Sequence, residues 1–424
     1  MVRGPFRAVS RAYGRAMPRS PSSPAFWRSP LRGPWFTAVL GVVLLGGITV
    51  LFVTGLVSYA AYNPDLSPVN DKTPDKGLLA FYLFSWPTGP VWLYRLTQGV
   101  HVTLGIVLVP VLLAKLWSVV PKLFALPPAR SLAHALERIS LLLLVGGGLF
   151  EFTTGILNVQ LDYVFPGSFY PLHFYGAWVF FAAFVAHAVL KIPAALRALR
   201  HPHDEQGDLV PPEPAEPTVS RRGALAVVGG GSLLLFVTTA GRSFDGPLRR
   251  TALLTPHGGP EPGGGPAGFQ INKTAASRGI SASETTEEAW RLVVRGGGRT
   301  VRLSRSDLLG LPQHGAALPI ACVEGWSTSD QWWRGVRLRD LAALVGYEPQ
   351  AAPDVLVESL QRHGAFRSAA LRDNQVRDPR SLLALFVNGA PLTPDHGHPA
   401  RVIVPAAPGV LNTKWVARMT FGDL

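Results

Sequence analysis

Leu318-Pro319-Ile320-Ala321-Cys322-Val323-Glu324-Gly325-Trp326-Ser327 carries the one cysteine of the 424-residue chain. Trp333-Arg334-Gly335-Val336 and Leu338-Arg339-Asp340-Leu341 follow it. The apolar run 318–321 predicts a strand that ends at Cys322. A single cysteine excludes an internal disulfide framework, a four-cysteine iron–sulfur cluster and a CxxCH haem attachment. A thiolate is a soft ligand, yet one cysteine builds no zinc site without several histidines beside it. It can bind a metal whose other ligands come from an organic cofactor. The plain alternative is an inert buried thiol.

Around this stretch, residues 269–424 have the composition of a soluble α+β domain. Trp290–Arg295 and Thr300–Leu303 predict a hairpin around Gly296-Gly297-Gly298. Leu338–Val345 has a helical pattern, and Val355–Leu360, Ala384–Val387 and Arg401–Val404 read as strands. Residues 242–268, with the run Pro256–Gly268, read as a flexible tether.

The N-terminal half is different in kind. The chain is 47% apolar and only 16% charged, below the roughly 25% usual in soluble domains, and its mean hydropathy is +0.22. About 20 apolar residues cross a bilayer. Five such runs are present: Trp35–Asn63, Arg95–Lys115, Arg138–Asp162, Asp162–Lys191 and Arg222–Arg242. Glu151 interrupts the third, and the Gly- and Ala-rich fifth is the weakest. Residues 1–34 form a basic leader with seven arginines and no acid, and its prolines disfavour one long helix. The leader and the loops at 115–138 and 191–222 are rich in Lys and Arg, which places them in the cytoplasm. Everything after Arg242 is then outside. Residues 201–222 read as a cytoplasmic linker. The net charge of +13 sits mainly in the leader and at span ends, so a nucleic-acid partner is not expected.

Polar rings inside a bilayer are costly and usually functional. His173 and His187 stand 14 residues apart on the fourth run, close to four helical turns, so they share a face roughly 21 Å apart along the axis. That spacing suits two stacked haem irons. His101 on the second run is the best partner for His173 by depth, while His187 lacks an evident one. His134, at the start of the third run, is a poor candidate. The alternative is that these histidines only bond one helix to another. Glu151 is either a proton relay or a residue facing a polar cavity.

The spacing on the fourth run resembles the b-type cytochrome subunits of formate dehydrogenase and nickel–iron hydrogenase. The likeness covers 35–200 and implies a four-helix haem b module with His101, His173 and His187 as iron ligands. The first run here has no histidine, which leaves the second haem open. Ser220-Arg221-Arg222 at the start of a fifth, tethering helix (223–241) resembles a twin-arginine export signal, with Ala224 where a larger apolar residue is usual. Two arginines at a cytoplasmic span end account for it equally.

The Cys322–Ser327 stretch with Trp333 and Gly335 resembles the molybdenum-binding segment of the sulfite oxidase family, on the methionine sulfoxide reductase side. A second block agrees in order and spacing: Val387-Asn388-Gly389-Ala390-Pro391-Leu392, His396-Gly397-His398-Pro399-Ala400-Arg401, Val404-Pro405, Gly409 and Lys414-Trp415. The resemblance implies molybdopterin as cofactor, with the Cys322 thiolate on molybdenum. Cys322, Glu324 and Trp326 become the candidate catalytic residues. Asn272, Ser359, His396, Arg401, Asn412, Thr413 and Lys414 become the candidate pterin-binding residues. Sulfite oxidases place arginines close behind the cysteine, and here Glu324, Trp326 and Ser327 stand there. An oxyanion beside Glu324 is repelled, which favours a neutral S-oxide or N-oxide over sulfite.

The expected architecture is multidomain. An all-α transmembrane bundle of four haem-module helices plus one tethering helix precedes an extracytoplasmic α+β molybdopterin-binding domain. The expected partners are quinone, a small oxide substrate and the cell membrane. The expected activity is oxygen-atom transfer at molybdenum, with sulfite-type oxidation or a non-catalytic electron-transfer subunit as alternatives.

Overall fold

The computed structural model describes residues 21, 26–70, 84–124, 131–159, 164, 169–202, 214–244, 246–254 and 265–424. Most of the basic leader, half of the linker and much of the tether lie outside these residues.

Six long helices come first: α1 Pro34–Ala60, α2 Leu93–Val107, α3 Val109–Leu123, α4 Leu132–Val159, α5 Phe169–Arg200 and α6 Arg221–Ala240. Four stretches, in α1, α4, α5 and α6, are long and apolar enough to cross a membrane, and α2 with α3 pass as one broken fifth. The unbroken second run expected from the sequence is thus two helices. Pro110 explains the break: it offers no N–H and its ring crowds the carbonyl one turn back. The chain divides into two compact units. One holds Met1–Leu45, Pro110–Val145 and Ala183–Gly230; the other holds Gly46–Val109, Gly146–Ala182 and Gly231–Leu424. In the first unit, Lys115 Nζ donates to Thr37 O at 2.7 Å and Thr37 Oγ1 to Ser118 Oγ at 3.2 Å. The Arg32 guanidinium lies 4.1 Å from the Trp117 ring centre.

In the second unit, residues 292–421 build two five-stranded sheets. The first has the order β2-β1-β10-β5-β6 and the second β3-β4-β7-β8, with β9 on β7. The strands are β1 Leu292–Gly296, β2 Arg299–Leu303, β3 His314–Leu318, β4 Gln331–Arg337, β5 Val355–Ser359, β6 Ser368–Leu371, β7 Leu382–Val387, β8 Ala390–Pro391, β9 Arg401–Ile403 and β10 Val416–Phe421. Short helices α7 Arg305–Gly310, α8 Leu338–Leu344 and α9 Asp373–Arg377 connect them. The β1–β2 hairpin turns at Gly297 (φ +52°) and Gly298 (φ +74°). Two positive φ values match the twist of a tight hairpin and favour glycine. Period-2 alternation sets the core: Leu292 and Val294 of β1 are fully buried, as is Trp333 of β4, while Trp332 beside it is exposed.

The strand expected over 318–321 is not formed, because β3 already ends at Leu318. Pro319 has no N–H to give a ladder. Ile320 N donates instead to Thr328 Oγ1 at 2.9 Å, and Cys322 N to Trp326 O at 2.8 Å. The result is a tight loop with Cys322 at its start.

Candidate active site

The loop is closed twice, by Cys322 N to Trp326 O and by Gly325 N to Cys322 O at 3.1 Å. Gly325 has φ +84°, a conformation that glycine adopts at low cost. Trp326 therefore shapes the loop with its main chain. Cys322 is buried, its Sγ donates a short hydrogen bond to Glu324 Oε2, and Asn272 Nδ2 lies 3.7 Å from the sulfur. Burial pushes the thiol well above its ordinary value, and the Glu324 carboxylate adds to this.

A cationic nest faces the same region. Arg401 is 2% exposed; its Nη1 donates to His396 O at 3.2 Å and its Nη2 to Asn412 O at 3.3 Å. Lys414 Nζ donates to Lys273 O at 3.0 Å and Asp395 O at 2.8 Å. Both cations end on carbonyl oxygens, and neither makes an ion pair among the described residues. Burial lowers Arg401 to about 9. Burial, then Arg401 and then Lys273, hold Lys414 well below the usual lysine range. Burial and the charges of Arg401 and Lys414 lower His396 to about 4. His396 Nδ1 pairs with Thr393 Oγ1 at 2.8 Å.

Arg401 Nε, Asn412 Nδ2 and Thr413 Oγ1 are buried without a hydrogen-bond partner among the described residues. Such atoms are costly to leave unsatisfied. Two buried cations, an amide and a hydroxyl therefore await an anion rich in acceptors, and a pterin phosphate fits that set. Among the described residues no three of His, Cys, Asp or Glu converge on one point. The described residues thus give Cys322 no such cluster to share a metal with, and a dithiolene cofactor would supply the further ligands. Ser359 supports from behind: its Oγ donates to Lys414 O at 2.7 Å. Lys273 and Asp395 also belong to the nest, although the sequence singles out neither. Lys273 lies in the Phe269–Lys273 stretch, beside Asn272, and that proximity was the available signal.

A cavity of about 200 Å³ lies in the same unit, lined by His101, His173, Glu151 and a largely apolar wall of aromatic and aliphatic side chains. His101 Nδ1 donates to Leu51 O at 2.9 Å, since a carbonyl only accepts. His173 Nδ1 is 3.0 Å from Glu151 Oε2 and 3.2 Å from Thr154 Oγ1. With Nδ1 as the bonded nitrogen of both rings, each Nε2 is left to face a ligand, the arrangement of a metal-ligating histidine with an outer partner. The ring centres are 6.3 Å apart. Two imidazoles on opposite sides of one metal, at about 2.0–2.1 Å per bond, have centres about 6 Å apart. The donor set therefore fits one haem iron. Glu151 holds His173, a role not foreseen for it. His187 lies in the other unit and lines none of this cavity. His134 sits on α4, with its side chain outside the described residues. Val323, the neighbour of Cys322, lines the cavity, and Gln98 Nε2 donates to its carbonyl at 2.5 Å.

Residues 279–423 match the family model "Oxidoreductase molybdopterin binding domain". The mitochondrial sulfite oxidase of Rattus norvegicus is 32% identical over 158 residues, 31% of this chain and 29% of that protein. The uncharacterized oxidoreductase YuiH of Bacillus subtilis is 34% identical over 119 residues, 28% of this chain and 58% of that protein. The sulfane dehydrogenase SoxCD of Paracoccus pantotrophus aligns at 24% identity and a TM-score of 0.30, over 33% of this chain and 39% of that one. The chain thus spans under a third of the sulfite oxidase it matches. Residues 279–423 are thus a molybdopterin-binding domain similar to the one in sulfite oxidase.

Proposed function

We propose that the protein is a membrane-bound molybdopterin oxidoreductase that passes electrons between quinone, a haem b held by His101 and His173, and a molybdenum centre on Cys322. The observation that carries this reading is Val323: it follows the candidate metal ligand and walls the two-histidine cavity. The membrane reading rests on the apolar helices, which leave large aliphatic side chains exposed, such as Val227 at 73% and Leu190 at 69%. Water does not favour such a surface and lipid does.

When bound, molybdenum would supply two-electron oxygen-atom transfer. For reduction of an oxide the balance is XO + 2 e⁻ + 2 H⁺ → X + H₂O. Cys322 would hold the metal. His396, Arg401, Asn412, Thr413 and Lys414 would hold the pterin and its phosphate, and Asn272 would border the sulfur. Glu324 is the titratable side chain hydrogen-bonded to that sulfur, placed to hold or pass a proton at its Oε2. The groups bonded to Sγ are thus a carboxylate and an amide, which favours a neutral S-oxide or N-oxide. Oxidation of a sulfite-like donor is the second reading. It is favoured by the sulfite oxidase relatives and by Arg249, whose Nη1 donates to Ser327 O at 3.3 Å.

The test is metal analysis with optical spectroscopy on the purified full chain. One molybdenum per chain is expected, with a haem b spectrum that appears reduced on adding quinol and reoxidises on adding an S-oxide. Protein without molybdenum sinks the catalytic reading. Protein with molybdenum and no haem sinks the electron path.

A further inference from the structure

Arg242 stands just past α6, and its side chain is 2% exposed. Its Nε, Nη1 and Nη2 are all buried without a hydrogen-bond partner among the described residues. Its backbone is fixed instead, accepting from Ser327 N at 3.4 Å. The position of the guanidinium follows from Gly325. A Cβ built there would come within 2.9 Å of Arg242 Nη2 and 2.7 Å of Val102 Cβ. The guanidinium and Val102 therefore both lie close against Gly325 of the Cys322 loop. Val102 follows His101 in the chain and lines the two-histidine cavity. Glu324 acts on Arg242 electrostatically, but its Oε2 accepts from the Cys322 thiol.

A guanidinium with five N–H donors is expensive to bury without acceptors. A fold that keeps one in this place keeps it for an anionic oxygen ligand. The near-complete burial argues for a resident ligand over one that diffuses in from solvent. A b-type haem brings two propionate carboxylates into a cavity whose wall is largely apolar, and these need a cation.

We propose that Arg242 docks a propionate of the haem held by His101 and His173, fixing the carboxylate edge of the porphyrin against the Cys322 loop. This rests on the haem reading above. It makes a residue outside the molybdopterin-binding domain a positioning residue for electron exchange with that domain.

The test uses the full chain in detergent as wild type, Arg242→Leu and Arg242→Lys, with a spectroscopic redox titration of the haem and molybdenum analysis. A nearby cation favours the electron-rich reduced haem. Arg242→Leu should lower the haem midpoint potential, or lose at least half of the haem, and Arg242→Lys should restore most of either. Molybdenum per chain should match the wild type throughout. If the leucine variant does not accumulate, Arg242→Gln should show the same fall. A neutral variant with wild-type potential and haem content overturns the proposal. So does one that only weakens inhibition by sulfate or sulfite, because the guanidinium then serves a diffusible oxyanion. Wild-type protein without haem would instead defeat the underlying cofactor reading, an outcome visible before any variant is made.

Discussion

His396→Gln should flatten the acid sensitivity of the cofactor-free protein. His396 is 2% exposed and sits beside two cations, which with burial lower it from 6.5 to about 4. In the unfolded chain the ring takes up a proton as pH falls through about 6.5. In the folded chain it does so only near pH 4. Between these values the unfolded state binds more protons, so stability is lost as pH falls. The gap of 2.5 units corresponds to about 3 kcal/mol once both states are protonated, at 1.36 kcal/mol per unit. Between pH 7 and pH 5 the loss is about 2 kcal/mol, or roughly 4–8 °C in Tm for a domain of this size. The assay is thermal unfolding followed by tryptophan fluorescence, on full chain made in a host that lacks molybdopterin. The wild type should lose more Tm than the variant over that interval, by this amount. Parallel losses in the two proteins would refute the reasoning, since His396 would then titrate alike folded and unfolded.

Three further outcomes follow from the same geometry. Arg401→Met removes two charge-assisted hydrogen bonds and the orphaned Nε, so pterin retained through gel filtration should fall by roughly tenfold or more. Cys322→Ser replaces a soft thiolate by a hydroxyl; turnover should drop by more than about 100-fold and molybdenum content should fall, and full metal with full activity would contradict the assignment. Glu151→Gln weakens the outer hold on His173 and should reduce haem retention by roughly tenfold, with molybdenum unchanged. An unaltered haem content in that variant would leave Glu151 without this role.

Local signals made much of the C-terminal fold legible. Gly296-Gly297-Gly298 marked the β1–β2 turn, short apolar runs marked β5 and β7, and helical spacing marked α8. The strands β3, β4, β6 and β10 carried weaker patterns. Gln331-Trp332-Trp333-Arg334 places a tryptophan on each face, so which one is core depends on the neighbouring strands. The apolar run ending at Cys322 read as a strand because hydrophobicity marks burial and does not by itself distinguish strand from buried loop. Pro319 and the loop bonds of Cys322 decided that point.

By itself the sequence determined what rests on residue identity and on short spacing. These are the lone thiol, the paired motif blocks, the apolar runs and the four-turn interval from His173 to His187. It could not determine which distant groups meet, because contact across hundreds of residues is fixed by packing and leaves no local pattern. Only the tertiary structure paired Glu151 with His173, ended Arg401 and Lys414 on carbonyl oxygens, and set Val323 into the wall of the two-histidine cavity. Arg242 shows the difference most plainly. In the chain it is one arginine after an apolar run, but in the fold it is a buried cation whose acceptor the described residues do not supply.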